Sequence, residues 1–432
     1  MFFDVRNRLR DLRREFHRRP EPGWREFQTT ARIVEEVERI GVDDLAVGRE
    51  AHATEERMAE PTRAEVEPWL ERARQAGVDP DLLDRTAGGH TGAIATLEAG
   101  EGPTVALRVD LDAISLTEAD EPGHRPADEG FRSEHEGHMH ACGHDAHVAI
   151  GLGVLATVKD SGFTGTFKVV FQPAEEISGG GKSMARSGHV DDVDYLFALH
   201  VGLEHPTGTV VAGVDKPLAM AHLTATFEGA SAHAGKSPNE GANAMQAMAA
   251  AVQNAYAIPR HEDGMTRVNF GHVEGGTASN VVAEEVTLTG EIRGETTALM
   301  EYTRTELERV LYGAAEMYDC DVTVRVVSES PRADSDPALR ELVSEVAADV
   351  TGVDTVVPSA EFGASEDVAY LMERVRERGG LASYLIVGTD HPTNHHTPTF
   401  DVDEASLPIG VELVSDAVVE LSRRYRDGDR IR

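Results

Sequence analysis

The sequence predicts a two-domain α/β protein: a mostly parallel sheet flanked by helices, interrupted in the chain by a ferredoxin-like βαββαβ domain. Strand-like runs at 91–97, 104–109, 166–171 and 195–200 alternate with helical stretches, the rhythm of a sheet whose strands are joined through helices. From about Leu218 the order changes to strand (223–228), Ala/Met-rich helix (242–257), strands (266–272 and 281–293), helix (297–318) and strand (321–327). That order is the split-βαβ arrangement of a compact inserted domain. The expected boundaries are therefore 1–217, 218–329 and 330–432.

Taken in order, apolar positions recur at helical spacing over 9–17 and 29–40, on either side of a Pro-Glu-Pro-Gly-Trp turn at 20–24. A charged, helix-prone segment between 48 and 92 reads as an insert between a helix and the next strand. After the strands at 91–97 and 104–109 comes Val-Ala-Ile-Gly-Leu-Gly-Val-Leu at 148–155, read as a buried helix beginning near Asp145. An acid there is favoured by the partial positive charge of a helix N-terminus. Beyond Pro331 the alternation resumes over 339–350, 368–375 and 381–387, and a helix at 405–424 closes the chain. Gly179-Gly-Gly-Lys-Ser183 looks like the end of a phosphate loop. The glycine such a loop needs five residues before Gly181 is Glu176, so the stretch is read as a turn into a helix.

The 432 residues carry a formal net charge of −35, which argues against binding to nucleic acid or to an anionic membrane surface. No apolar run is long enough to span a bilayer. Charged residues occur from the first few positions, unlike a secretory signal, and Cys142 and Cys320 are too few for a disulfide framework. These features point to the cytoplasm. Lysine is confined to Lys159, Lys168, Lys182, Lys216 and Lys236. Repulsion among so many carboxylates strains a compact fold in dilute buffer, and in molar salt, with a Debye length of about 3 Å, it largely vanishes. The surface reads as that of a halophile's cytosolic protein; an acidic mesophilic enzyme is the alternative.

Candidate chemistry is densest from His135 to His147, where one thiol and several imidazoles share a short stretch. Cys142 and His144 sit in the loop entering the predicted helix, and thiolate with neutral imidazole suits zinc and its first-row neighbours. A His-rich surface loop beside a buried cysteine is the bland alternative. Open α/β sheets gather function at the carboxyl ends of strands. There the chain offers Arg-Val-Asp-Leu-Asp at 108–112, Phe-Gln-Pro-Ala-Glu-Glu at 171–176 and Ala-Leu-His at 198–200. Each acidic pair alone reads as a solvated loop. Three such strand ends together with Cys142 and His144 read as a metal site.

Met-His-Ala-Cys-Gly-His-Asp-Ala-His, Phe-Gln-Pro-Ala-Glu-Glu, Leu-His-Val-Gly, Gly-Ala-Ser-Ala-His-Ala-Gly and a closing His-x-Pro-x-Phe occur in that order along nearly the whole chain. Together they resemble the M20 metallopeptidase/amidohydrolase family, nearest its branch of hippurate, N-acyl-amino-acid and indoleacetyl-amino-acid hydrolases. The insert, Trp24-Arg-Glu-Phe and Ser365-Glu-Asp-Val are similar to one subunit type of the aminobenzoyl-glutamate hydrolases within it. The resemblance implies a metallo-aminopeptidase-like catalytic domain, an inserted dimerisation domain and a centre of two divalent ions. Zinc or manganese is implied, and cobalt also suits mixed N, O and S donors. Carried over position by position, Cys142, His144, Glu176, His200 and His396 would be ligands and Glu175 the general base. Asp112 falls where the family has an acid that orients a ligand or tunes the base. His396 has the His-x-Pro-x-Phe spacing and is chosen over its neighbour His395. His140 and His147 match family positions without being expected to bind metal, and His135 and His138 read as loop histidines. In the smaller domain the resemblance implies that His233 reaches the partner's active site to polarise the scissile carbonyl. Asn280 and Arg293 would hold the substrate carboxylate. By composition alone Arg293 reads equally as an edge-strand arginine on a solvated face.

The implied function is hydrolysis of the amide bond of N-acyl or N-aroyl amino acids, aminobenzoyl-glutamate-like, by a metal-bridged hydroxide. The implied assembly is a homodimer, or a complex with a homologous second subunit. An aminopeptidase or dipeptidase of the same fold is the rival reading. It would need an acidic anchor for a substrate ammonium, whereas Asn280 and Arg293 offer an anchor for a carboxylate. A non-catalytic scaffold would lack Glu175 or a ligand, and the sequence keeps them all.

Overall fold

In chain order the strands of the computed structural model are β1 (Asp44–Val47), β2 (Ala93–Glu98), β3 (Thr104–Asp110), β4 (Thr166–Gln172), β5 (Tyr195–Val201), β6 (Thr209–Val211) and β7 (Val214–Asp215). They continue with β8 (Ala219–Glu228), β9 (Thr266–Gly275), β10 (Glu285–Gly294), β11 (Asp321–Ser330), β12 (Thr355–Val357), β13 (Ala360–Glu361) and β14 (Leu381–Val387). Met1, Pro392, Arg432 and the side chains of residues 2–6 lie outside the described residues, and with them part of the charged N-terminal stretch and of the loop before His395.

The chain forms two units. One takes the residues up to Asp215, Ala333–Phe362 and those from Asp367 onward; the other is Lys216–Arg332 with Gly363–Glu366. The first is built on a sheet in the order β1-β2-β4-β3-β5-β14-β6-β12. Its centre, β4-β3-β5-β14, is parallel throughout, while β1, β2 and β6 join antiparallel and β12 pairs parallel with β6. Central parallel strands are covered on both faces, which is why Tyr-Leu-Phe-Ala-Leu-His-Val of β5 is buried at every position.

The helix His144–Lys159 runs beneath this sheet and is buried from His144 through Leu155. Its start depends on Gly143, which has φ 85°. A Cβ there would come within 2.5 Å of Val201 Cγ2, so neither the conformation nor the space admits a side chain. Val148, Ile150, Leu152, Val154 and Leu155 join one core with Leu9, Leu12 and Phe16 of the helix Phe2–Arg18 and with Leu413, Val414 and Ala417 of the helix Ser406–Asp427. Burial of each such aliphatic side chain contributes roughly 1.5–3 kcal/mol. Two of these helices and the segment that leads into the third are also joined through charge. Arg13 is fully buried, with Nε 2.7 Å from Asp145 Oδ2 and its second terminal nitrogen 2.6 Å from Asp401 Oδ1. Asp145 is thus doubly placed, at a helix N-terminus and on a buried guanidinium.

The segment 48–92 departs from its expected setting. A short edge strand, β1, separates it from the preceding helix Phe27–Ile40, and the segment connects β1 to β2. Asp-Leu-Ala-Val is too short and too polar at its start to announce a strand. Within the segment, Thr62 and Glu65 form a capping box for the helix Arg63–Gln75, which buries Val66, Leu70 and Ala73 with Phe27 and Leu83.

The second unit has the βαββαβ order that the sequence predicts, with the antiparallel sheet β11-β8-β10-β9 and the helices Ala244–Ala255 and Thr297–Glu316. Burial alternates along β8 and β10, so one face packs under the helices through Leu223, Phe227, Val286, Leu288, Leu307 and Leu311. The run at 281–293 becomes a strand only at Glu285; Val281 instead forms an isolated bridge with His233. Among the described residues no helix is long and apolar enough to cross a membrane.

Replacing Arg13 with methionine removes the buried guanidinium that joins Asp145 to Asp401, leaving, among the described residues, Asp145 only His17 and Asp401 only Arg125. The expected loss is about 3–5 kcal/mol, read as a lower melting temperature that added KCl does not restore, because salt screens buried pairs poorly.

Candidate metal centre

Since β3, β4, β5 and β14 run the same way, their carboxyl ends share one edge of the sheet. Asp110 closes β3 and Asp112 follows it. Glu175 and Glu176 follow β4, His200 lies near the end of β5, and His395 and His396 come in the loop beyond β14. Cys142 and His144 enter from the start of the buried helix. Among the described residues the groups of possible donors include Cys142, His144 and His200; Cys142, Glu176 and His396; His144, Glu175 and Glu176; and Asp110, His144 and His147. Within each, the donor atoms lie within 4.8 Å of one another. The first two share the Cys142 thiol, so a thiolate there could serve two ions.

The separations suit a metal. Cys142 Sγ is 3.4 Å from His200 Nε2, His396 Nε2 is 3.4 Å from Glu176 Oε2, and His144 Nε2 is 3.8 Å from Glu176 Oε1. Ligands at about 2.0–2.3 Å from a tetrahedral ion stand roughly 3.3–3.8 Å apart. Tautomers agree. His144 Nδ1 donates to the Asp112 carbonyl at 2.9 Å, and its buried Nε2 makes no hydrogen bond among the described residues. His200 Nδ1 donates to the Val201 carbonyl at 2.8 Å. Each imidazole therefore keeps the Nε2 lone pair for an ion, its other nitrogen fixed by a carbonyl.

The neighbouring histidines are engaged differently. His147 Nε2 accepts from the Val201 N–H at 2.9 Å while Nδ1 pairs with Asp110, so both nitrogens are used. His395 Nε2 donates to the Val201 carbonyl at 3.2 Å, and its ring packs on Phe400. The structure places His396, not His395, beside Cys142 and Glu176. His140 is buried with no hydrogen bond to either ring nitrogen among the described residues, and burial holds it down at about 3. His135 and His138 meet the insert, their rings edge-on to Trp69 at 5.3 and 4.9 Å.

Charge at the centre is negative. Burial works against a proton on His144, yet Asp110, Asp112 and Glu176 outweigh it and push this imidazole up to about 10. The field that retains that proton also favours a dication, which would displace it on binding. His200 lies well below the usual histidine range, through burial and the adjacent His147 and His395.

Asp112 orders the glutamate pair. Its Oδ1 accepts the Glu175 N–H at 2.9 Å and its Oδ2 the Glu176 N–H at 3.1 Å. The resemblance motifs Trp24-Arg-Glu-Phe and Ser365-Glu-Asp-Val contain two buried carboxylates, Glu26 and Asp367, to which the sequence reading assigned no role. Asp367 accepts from Gln172 at 2.7 Å and from the Gly181 N–H at 2.8 Å, and pairs with Arg108. Arg108 and Gln172, polar residues within apolar strands, were the available signal that such a partner existed.

In the second unit, His233 Nδ1 accepts the Gly235 N–H at 3.1 Å, which puts the ring proton on Nε2 as a donor. The Asn280 carbonyl accepts the Ala234 N–H at 3.0 Å, bringing the backbone beside His233 next to Asn280. Arg293 grips Glu291 with two prongs, at 3.0 and 3.1 Å.

A thiol, imidazoles and carboxylates converging at the carboxyl edge of a parallel sheet define a metal-dependent hydrolase. The model of peptidase family M20/M25/M40 matches residues 106–420, and the chain belongs to that family as an enzyme acting on amide bonds. It is 40% identical to one of the subunits of p-aminobenzoyl-glutamate hydrolase from Escherichia coli (strain K12), over 94% of each chain. It is also 40% identical to indole-3-acetyl-aspartic acid hydrolase of Enterobacter agglomerans, over 93% of each. The crystal structure of an aminobenzoyl-glutamate utilization protein from Klebsiella pneumoniae superposes with a TM-score of 0.83 at 34% identity, covering 97% of this chain and 96% of that one.

Because Cys142 belongs to two donor groups, Cys142→Ala is expected to deplete metal from both, whereas His396→Ala affects only its own. Elemental analysis of the dialysed variants checks this difference.

Proposed function

We propose that the enzyme hydrolyses N-acyl or N-aroyl amino acids of the aminobenzoyl-glutamate kind, releasing the carboxylic acid and the free amino acid. The observation that carries the reading is the Glu175–Glu176 pair. Glu176 shares a donor group with Cys142 and His396, while Glu175 Oε2 lies 3.9 Å from His144 Nε2 and completes none of the thiol groups. The names of the Escherichia and Enterobacter relatives, each an aromatic acyl group joined to an acidic amino acid, support the substrate class.

Cys142, His144, Glu176, His200 and His396 would hold two divalent ions, zinc or manganese, whose Lewis acidity brings the pKa of water towards neutrality. Glu175 takes a proton from the water whose oxygen adds to the amide carbon. It returns that proton to the nitrogen as the C–N bond breaks, so one carboxylate serves both steps. Asp112 keeps Glu175 in place through its backbone. In a dimer, His233 from the smaller domain of a partner protomer offers its Nε2–H to the carbonyl oxygen. Asn280 and Arg293 receive the substrate carboxylate, Arg293 by exchanging Glu291. The assembly is a homodimer, or a complex with a homologous second chain; the name of the Escherichia relative, which is that of one subunit, leaves room for the latter. The setting proposed is the cytoplasm of a halophile.

A panel of aminobenzoyl-glutamate, hippurate, indoleacetyl- and acetyl-amino acids beside a free dipeptide, in high salt with manganese or zinc, tests the substrate class. Turnover of the dipeptide alone would defeat it. Glu175→Gln should keep fold and metal but lose about a hundredfold or more in kcat; a metal-replete variant of undiminished kcat would remove Glu175 from the mechanism. The net charge of −35 predicts a melting temperature that rises from dilute buffer to molar KCl. A flat response would remove the halophilic reading.

A further inference from the structure

The turn that presents the glutamate pair adopts a conformation its residues do not favour. Ala174 has φ 57°, the left-handed region that a side chain resists. Something must hold it there, because relaxing this residue would rotate the next peptide and turn the Glu175 N–H away from Asp112. Its carbonyl accepts the Gly179 N–H at 2.8 Å, closing the loop behind the pair. Its N–H is taken by a side chain from another part of the chain, Glu26, whose Oε1 accepts it at 2.8 Å.

Glu26 is suited to a fixed role. It is fully buried at the N-terminal end of the helix Phe27–Ile40. Its other oxygen accepts the Thr91 hydroxyl at 2.5 Å, and the neighbouring Gly92 N–H donates to Thr30 of the same helix at 2.9 Å. The carboxyl group is therefore tied to the helix and to the approach of β2, and cannot swing away from Ala174. Three successive amides, at Ala174, Glu175 and Glu176, are received by two carboxyl groups, those of Glu26 and Asp112. Consecutive N–H groups around a left-handed residue form a concavity that acceptors fill in this way.

We infer that Glu26 is a positioning residue for the reaction: by accepting the Ala174 N–H it holds the left-handed turn that aims Glu175 at the scissile amide. This rests on the proposed role of Glu175 as the proton carrier. Glu26 belongs to none of the donor groups and would act only through the turn. What it supplies is an acceptor rather than a charge, so glutamine, which keeps a carbonyl oxygen for Ala174 and an amide for Thr91, should replace it.

The test compares Glu26→Ala, the nearly isosteric Glu26→Leu and Glu26→Gln in the metal-loaded full-length protein, with kcat, KM and metal content measured for each. The expected result is a fall in kcat of about 10–100-fold for Ala and Leu at parental metal content, the scale seen when a residue supporting a metal site is lost. KM should stay within about twofold and Glu26→Gln within about threefold of the parent, since only the aim of Glu175 is disturbed. Parental kcat in Ala or Leu would overturn the inference. So would a Glu26→Gln defect as large as that of alanine. Failure of both Ala and Leu to accumulate as folded, metal-loaded protein would make Glu26 a folding residue and overturn it too. Glu175→Gln, assayed in parallel, separates the two claims. If it loses turnover while Glu26→Ala keeps it, only the role of Glu26 falls; if it keeps turnover, the reading of Glu175 falls first.

Discussion

The arrangement depends on a single aspartate that answers to three elements at once. Asp112 follows β3; its carboxylate receives the amides of Glu175 and Glu176 beyond β4, and its carbonyl receives Nδ1 of His144 at the start of the buried helix. No regular secondary structure would bring these three together, because each lies just past the end of its own element. Two hydrogen bonds to this one carboxyl group close on adjacent peptides. The glutamate pair is thus fixed through its backbone.

The end of β5 does comparable work for the histidines. The Val201 N–H donates to His147, while its carbonyl receives both His200 and His395. One residue's backbone therefore determines which nitrogen of three imidazoles carries the proton. The outcome differs in each case: His200 keeps a free Nε2 lone pair, His147 keeps none, and His395 spends its Nε2 on the carbonyl. Histidine-rich motifs look redundant when read as composition. The hydrogen bond at the second nitrogen is what gives each ring a separate task.

Much of this was legible in the sequence, for a physical reason. The parallel strands announce themselves because burial on both faces demands uninterrupted apolar runs, and polar residues at their carboxyl ends then stand out. Glu176 and His200 stood out in that way, Cys142 and His144 stood out as donors in the loop entering a helix, and the order of elements in the second unit followed from the alternation of periods. The choice of His396 over His395 came from motif spacing alone, and in the structure the two residues have different surroundings. His396 has φ 60°, and its N–H donates to the Ala141 carbonyl at 2.9 Å. What could not be read were interactions with no local signature. The edge strand β1 is four residues long, and the Arg13–Asp401 contact joins opposite ends of the chain. Glu26 lies in a motif that the resemblance marked, Trp24-Arg-Glu-Phe, but nothing local shows that its carboxyl reaches Ala174.

The insert between β1 and β2 shows how a segment that supplies no donor can still bear on the donor cluster. Trp24 Nε1 donates to the Met58 carbonyl at 2.8 Å, and the Ala53 N–H donates to Ser183 at 2.9 Å. The insert therefore lies against the loop that follows the glutamate pair, and its Trp69 lies against the histidines that precede Cys142. A segment attached at both flanks of the donor cluster can stiffen it without supplying a ligand. Buried hydrogen bonds of this kind are costly to leave unmade, so the insert and the donor loops are held to one geometry. Preorganisation of that sort keeps the candidate donors of Cys142, His144 and His200 together in a chain whose overall charge would otherwise drive its acidic segments apart.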